Sequence, residues 1–272
     1  EQEKMAVVIQ TVVGNRFGDT FYPHLSGTAQ SFNFYPVAHM TPQDGFAVIA
    51  VGLGQYVLDG ERAFRFSPSF PSLDIVSIDD LSKYSQVNFY AINMARSEFD
   101  LLQGEKAGLV KLNINKAEEH GTLAHSASVL SIDNETLTPG LYEAGPRVIN
   151  FADILKYDYI PLASTLKTVL QVVRDAFGAP VEIEFAVDLT RDDEGRASFY
   201  LLQVKPLVGS GAGYSIDPES VYTDDLLLIS RRSMGNGLID DITDLVYVEP
   251  DRFSSMKTLE MVGEIDAINR KM

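Results

Sequence analysis

Glu182, Glu184, Gln203 and Lys205 stand in the stretch VEIEFAVDLTRDDEGRASFYLLQVKPL, residues 181–207, at spacings that suit metal and phosphate chemistry. Two runs of alternating apolar and polar residues flank a loop with no apolar residue between Leu189 and Ala197, the pattern of two antiparallel strands joined by a hairpin. Alternation sends Val181, Ile183, Phe185 and Val187 to one face of the first strand, and Glu182, Glu184 and Asp188 to the other. In the second strand Phe199, Leu201, Gln203 and Lys205 are expected to share a face. A turn centred on Asp193 and Glu194 then sets Glu184 opposite Gln203 and Glu182 opposite Lys205. Mg²⁺ takes hard oxygen ligands and keeps waters and substrate phosphates, so one carboxylate and one amide oxygen are a reasonable protein share of its shell. The same residues also read as a solvated ribbon face whose acids simply answer Lys205, and a bulge at Gly195 would move the register by one residue.

The ribbon needs a core to lie on. Pro161 to Phe177 predicts a helix with Leu162, Leu166, Val169, Leu170, Val173 and Phe177 on one side, opened by proline and stopped at Gly178-Ala179-Pro180. A shorter helix is expected over Phe151 to Tyr157. Met5 to Val13, rich in β-branched residues and ending at Gly14-Asn15, predicts a buried strand. Further strand-like pieces are Val87 to Met94 and Gly108 to Asn113, then Leu226 to Ile229 and Leu245 to Val248, before a closing helix from about Ser254 to Arg270. Gly209 to Gly213 reads as a flexible linker.

The segments IEF and LLQVKP resemble the metal- and ATP-binding hairpin of the ATP-grasp domain in the phosphoenolpyruvate synthase and pyruvate phosphate dikinase family, where the pattern is DIE(F/W), a short loop, then LQxR. The resemblance implies that Glu184 and Gln203 hold a metal. It also implies that Glu182 and Lys205, standing where the family has Asp and Arg, contact the nucleotide. Gln10 and Val12 lie in a stretch similar to the family's VQxMV, which implies contacts on the adenine side. Ser26 to Asn33 resembles SGVAFTRNP with Phe32 in place of the Arg, and Phe46 to Gly60 resembles WGLGExVVxG with Gln55 in place of the Glu. Gly52-Leu53-Gly54 lacks the third glycine and the downstream helix signal of a dinucleotide fingerprint, so close backbone packing is expected there. Arg65 to Pro68 matches the family's short Arg-x-Pro stretch. His125 in GTLAHSASV shares His-x-Ala with the family's phosphohistidine loop, TSHxAIxAR, but lacks its Arg and precedes the hairpin. His120 and His125 are expected at strand ends, His24 and His39 on the surface or in turns, and no catalytic residue is assigned.

The resemblance implies an α+β fold: an ATP-grasp-like C-terminal lobe, residues 1–71 and 148–208, with a β-rich insertion over 72–147 and a linker with a C-terminal extension over 209–272. It implies ATP and Mg²⁺ as ligands, and an N-terminal lobe and downstream domains as partners on a longer parent chain. That parent would pass phosphate from ATP through a histidine toward pyruvate. The alternative is a non-catalytic ATP-grasp-derived binding or regulatory module. Whether the parent is an active enzyme stays open, and this chain alone is expected to be inactive.

Composition bounds the partners. The 272 residues are 45% hydrophobic, enough for a real core, and carry a formal net charge of −16. Such a surface repels phosphate backbones and anionic bilayers, which argues against nucleic-acid and membrane partners and requires a metal or a local cation for any nucleotide. The absence of cysteine excludes disulfides, thiolate zinc sites and a cysteine nucleophile, and suits a cytoplasmic setting. Neither Met5 to Ile9 nor Phe46 to Leu53 is long enough for a signal segment or a span of ~20 residues.

Overall fold

A computed structural model describes residues 7–73, 76–95, 101–131, 133–207, 226–227, 243–249, 252–254 and 257–270. In chain order the elements are β1 (Asn15–Phe17), β2 (Thr20–Tyr22), β3 (Leu25–Gln30), β4 (Phe46–Ala50), α1 (Gln55–Leu58), β5 (Phe64–Phe66), α2 (Ile78–Lys83), β6 (Asn88–Asn93) and β7 (Leu109–Asn113). They continue with α3 (Ile114–Glu119), β8 (Ala127–Ser131), β9 (Thr136–Pro139), β10 (Arg147–Ile149), α4 (Ala152–Leu155), α5 (Leu162–Phe177), β11 (Val181–Asp188), β12 (Ser198–Pro206) and α6 (Thr258–Asn269). The fold is α+β, as expected. Compact units form over residues 1–236 and 237–272.

The first unit is organised on a five-stranded sheet in the order β12-β11-β3-β4-β5, antiparallel at every pairing. On one face of β11, Val181, Ile183, Phe185 and Val187 are buried, and they share a core with Leu162, Leu166 and Leu170 of α5. Each such side chain contributes about 1.5–3 kcal/mol on removal from water, so this seam fixes which face of the ribbon is left for other work. Val169 and Val173 pack at the edge of the core, whereas Phe177, expected with them, is half exposed. The helix stops there: Gly178 at φ +65° donates its N–H to Arg174 O in a left-handed cap.

A four-stranded sheet, β1-β2-β6-β7, joins β1 and β2 to β6 and β7, so strands from the segment 72–147 share a sheet and a core with the N-terminal strands. A separate three-stranded sheet, β10-β8-β9, is antiparallel at both pairings. Strands expected over 87–94 and 108–113 are β6 and β7.

Several expectations are corrected. Residues 7–14 carry no strand, and Val7, Val8 and Ile9 are exposed. This tract crosses over a sheet face instead of lining an edge, so it finds no ladder, and β-branched composition alone does not make one. A short helix, α1, does follow Gly52-Leu53-Gly54. Of these glycines, Gly52 fits the close-packing account: at φ +86°, a Cβ there would lie 2.7 Å from Tyr90 O. In the second unit Leu245, Val246, Tyr247 and Val248 are exposed and form no strand, while the closing helix is α6. The linker at 209–213 and the end of the 226–229 stretch lie outside the described residues. Among the described residues no helix is long and apolar enough to cross a membrane.

Candidate functional site

The hairpin pairs as its spacing requires: Glu182 lies opposite Lys205, and Glu184 opposite Gln203. It reaches that register by an unexpected route. From Asp188↔Ser198 to Phe185↔Leu201 the pairing runs one residue short of it, and the register shifts between Glu184 and Phe185, with Leu202 as the extra residue of a bulge. Without Leu202 as an insertion, Phe199, Leu201, Gln203 and Lys205 would share a face, as expected above. The bulge breaks that parity. Phe199 joins the core, its ring 5.2 Å from Phe185, while Gln203 and Lys205 join the acids on the opposite face.

On that second face β3 continues the rows, with Gln30 beside Glu182 and Thr28 beside Glu184, and β4 adds Phe46 and Val48. Glu182 is the more enclosed acid, its side chain 13% exposed, and it is doubly engaged: Lys205 Nζ lies at 2.6 Å, and Gln30 Nε2 donates to its other oxygen. Glu184 is the more available, with the ammonium at 3.5 Å and 23% of its side chain exposed. The bond to Glu182, reinforced by attraction from Glu184, holds Lys205 above the ordinary lysine range despite some desolvation. The Gln203 side chain is exposed and makes no hydrogen bond among the described residues. Two carboxylates already sharing one cation, with a free amide oxygen beside them, form a donor set of the kind Mg²⁺ accepts as a partial shell. Among the described residues no group of three acidic or histidine side chains converges as a complete cage.

Gln10 and Val12 are brought to the same face. The tract carrying them roofs a cavity of about 190 Å³ floored by Ser26, Ala186 and Leu202. Gln10 Nε2 donates to Leu202 O at 3.3 Å, so the bulge residue anchors the tract. Close approach of β3 and β4 depends on Gly27, where a Cβ would collide with Val48 O. A larger cavity of about 440 Å³, lined by residues including Phe64, Leu81, Leu137 and Tyr157, contains none of Glu182, Glu184, Gln203 or Lys205.

The histidines sit elsewhere. His24 lies in the bend between β2 and β3, as expected of a turn residue, but is largely covered: its side chain is 14% exposed, its Nδ1 accepts the Leu189 N–H, and Asp188 Oδ1 lies 3.1 Å away. His125 is in the turn before β8, its Nδ1 2.5 Å from Asp153 Oδ2 and its ring stacked on Tyr159. His120 caps α3 rather than a strand, and its Nδ1 lies 2.8 Å from the Tyr22 hydroxyl. His39 is exposed, edge-on to Phe70. Sequence reasoning missed Gln30, Thr28 and Arg65 as members of the face, because only inter-strand register places them there.

Residues 1–226 match the family model described as pyruvate phosphate dikinase, AMP/ATP-binding domain. The chain belongs to this family, and with it to the ATP-binding domains of dikinase-like proteins. No curated protein matches the chain.

Proposed function

We propose that the open face of the five-stranded sheet is the Mg-ATP site of a phosphoenolpyruvate synthase- or dikinase-like phosphotransferase. Glu184 and Gln203 hold the metal, Glu182 and Lys205 order the nucleotide's polar groups, and Gln10 and Val12 flank the base from the adjoining cavity. The observation that supports this best is the register, which gathers Glu182, Glu184, Gln203 and Lys205 on the one face of the ribbon that the core does not use. A bound Mg²⁺ supplies charge neutralisation of the phosphates, and the chain's own part is to position them. In the parent protein a second lobe closes over this face, and a histidine on another domain accepts the phosphoryl group. His125 is not that acceptor in this reading, since one ring nitrogen is committed to Asp153 and the ring to Tyr159.

A second reading, a binding or regulatory module without catalysis, is favoured by Lys205 itself, which neutralises the acids from within. Calorimetry of the chain with ATP, with and without Mg²⁺, tests the site. Since an open sheet face grips from one side only, binding is expected in the millimolar range, dependent on Mg²⁺, and lost in Glu184→Gln. Mg-ATP binding that is indifferent to Glu184→Gln would exclude the assignment, and micromolar binding would contradict a one-sided site.

A further inference from the structure

We propose that Arg65 is the anion-gripping residue of the open face, and that its ligand is a phosphate group of a metal-bound polyphosphate. The inference rests on the reading of that face as a nucleotide site and adds a cation that no carboxylate of the face engages. Arg65 lies on β5 opposite Val48, in the row that runs through Thr28 to Glu184, so its side chain belongs to the face that carries the acids. Its neighbours Phe64 and Phe66 turn to the core instead.

Two contacts hold the guanidinium in place. Its carbon lies 3.8 Å from the centroid of Phe46, and Nη2 donates to Oδ1 of Asn33 at 2.9 Å. Asn33 is itself buried, and the same oxygen accepts the Tyr35 N–H, so the anchor is fixed. Among the described residues no carboxylate pairs with Arg65, although the residue is open to solvent. Lys205, the face's other cation, is engaged by Glu182 and Glu184. Desolvation against its neighbours pulls Arg65 below the ordinary arginine range, and a bound anion would relieve that cost. Most of its fork of donors is free for bidentate contact with phosphate oxygens.

Spacing selects the ligand class. Phe46, under the guanidinium, is two strands from Glu184, which holds the metal in that reading, and is offset along them, at least about 10 Å away at the usual inter-strand distance. A single phosphate cannot touch both Arg65 and a metal at the glutamates, whereas a chain of phosphates can. Asn33 adjoins Phe32, the position where the family pattern has its own arginine, so Arg65 brings a guanidinium from β5 to the strand end that lost one.

Phosphorus NMR titration of the full 272-residue chain tests this, with orthophosphate, then tripolyphosphate with Mg²⁺, then Mg-ATP. The expected result is binding of Mg-tripolyphosphate well above that of orthophosphate, weakened about tenfold or more by Arg65→Met and partly recovered by Arg65→Lys. Equal binding by wild type and Arg65→Met, or no binding of Mg-tripolyphosphate by wild type, would overturn the inference. If Mg-ATP binds through Glu184 and ignores Arg65→Met, the inference falls while the functional reading survives. If tripolyphosphate needs Arg65 but ATP does not bind, the inference is supported and the nucleotide reading falls.

Discussion

Lys205 competes with any metal for the carboxylates it bridges, and this competition is measurable. A partly exposed ion pair contributes up to about 1 kcal/mol, so Lys205→Met should raise Mn²⁺ affinity about fivefold in the absence of nucleotide. Electron spin resonance of free Mn²⁺ reads this out, and an unchanged or lower affinity would show that the glutamates are not the cation's ligands. His24 gives a second residue-level test. Burial lowers its proton affinity, with attraction from Asp188 opposing and His125 adding to the effect. The folded chain therefore binds this proton less readily than the unfolded chain, whose histidine titrates near 6.5. Stability is complete above that pH and is lost as the pH falls through and below it. His24→Asn, which keeps an acceptor for the Leu189 N–H, should flatten the fall in urea midpoint between pH 7 and pH 5; an unaltered slope would rule His24 out as its source. His120, also lowered by burial, leaves a residual slope. Glu184 and Gln203 were legible from alternation and loop length because both are local signals. The pairing of His24 with Asp188 was not, since it depends on β3 lying beside β11.

Among the elements, the hairpin shows where sequence reading reaches its limit. The pairs were right but the faces of β12 were not, because a bulge is invisible to period-two counting. Leu202 is one residue among several apolar ones, and only the need to bury Phe199 while exposing Lys205 demands the insertion. The tract at 7–14 failed differently: its composition says strand, yet it lies over a face where no ladder is available. Gly27 tests how closely β3 must approach β4. Gly27→Ala forces a Cβ onto Val48 O and should cost about 1–3 kcal/mol in urea unfolding, with loss of Mg-ATP binding as the rows of the face part. A neutral effect would mean that the sheet can open there freely. Leu166→Ala probes the opposite face. Fully buried between α5 and the sheet, Leu166 should cost about 2–5 kcal/mol on truncation, and a loss below 1 kcal/mol would deny that α5 braces β11.

At the scale of the whole molecule, a net charge of −16 sets the terms on which a nucleotide is admitted. The surrounding surface repels polyphosphate, so entry depends on a metal to neutralise the ligand and on local cations at the face. Metal and ATP should therefore bind together and each poorly alone. Paramagnetic relaxation is the most direct measurement: Mn²⁺ is added to the isotopically labelled chain, first alone and then with ATP. The expected result is selective broadening of the amides of Glu182, Glu184, Gln203 and Lys205, weak with Mn²⁺ alone and strong once ATP is present. Broadening that spares Glu184 and Gln203, or that is unchanged by ATP, would contradict a metal–nucleotide site on this face.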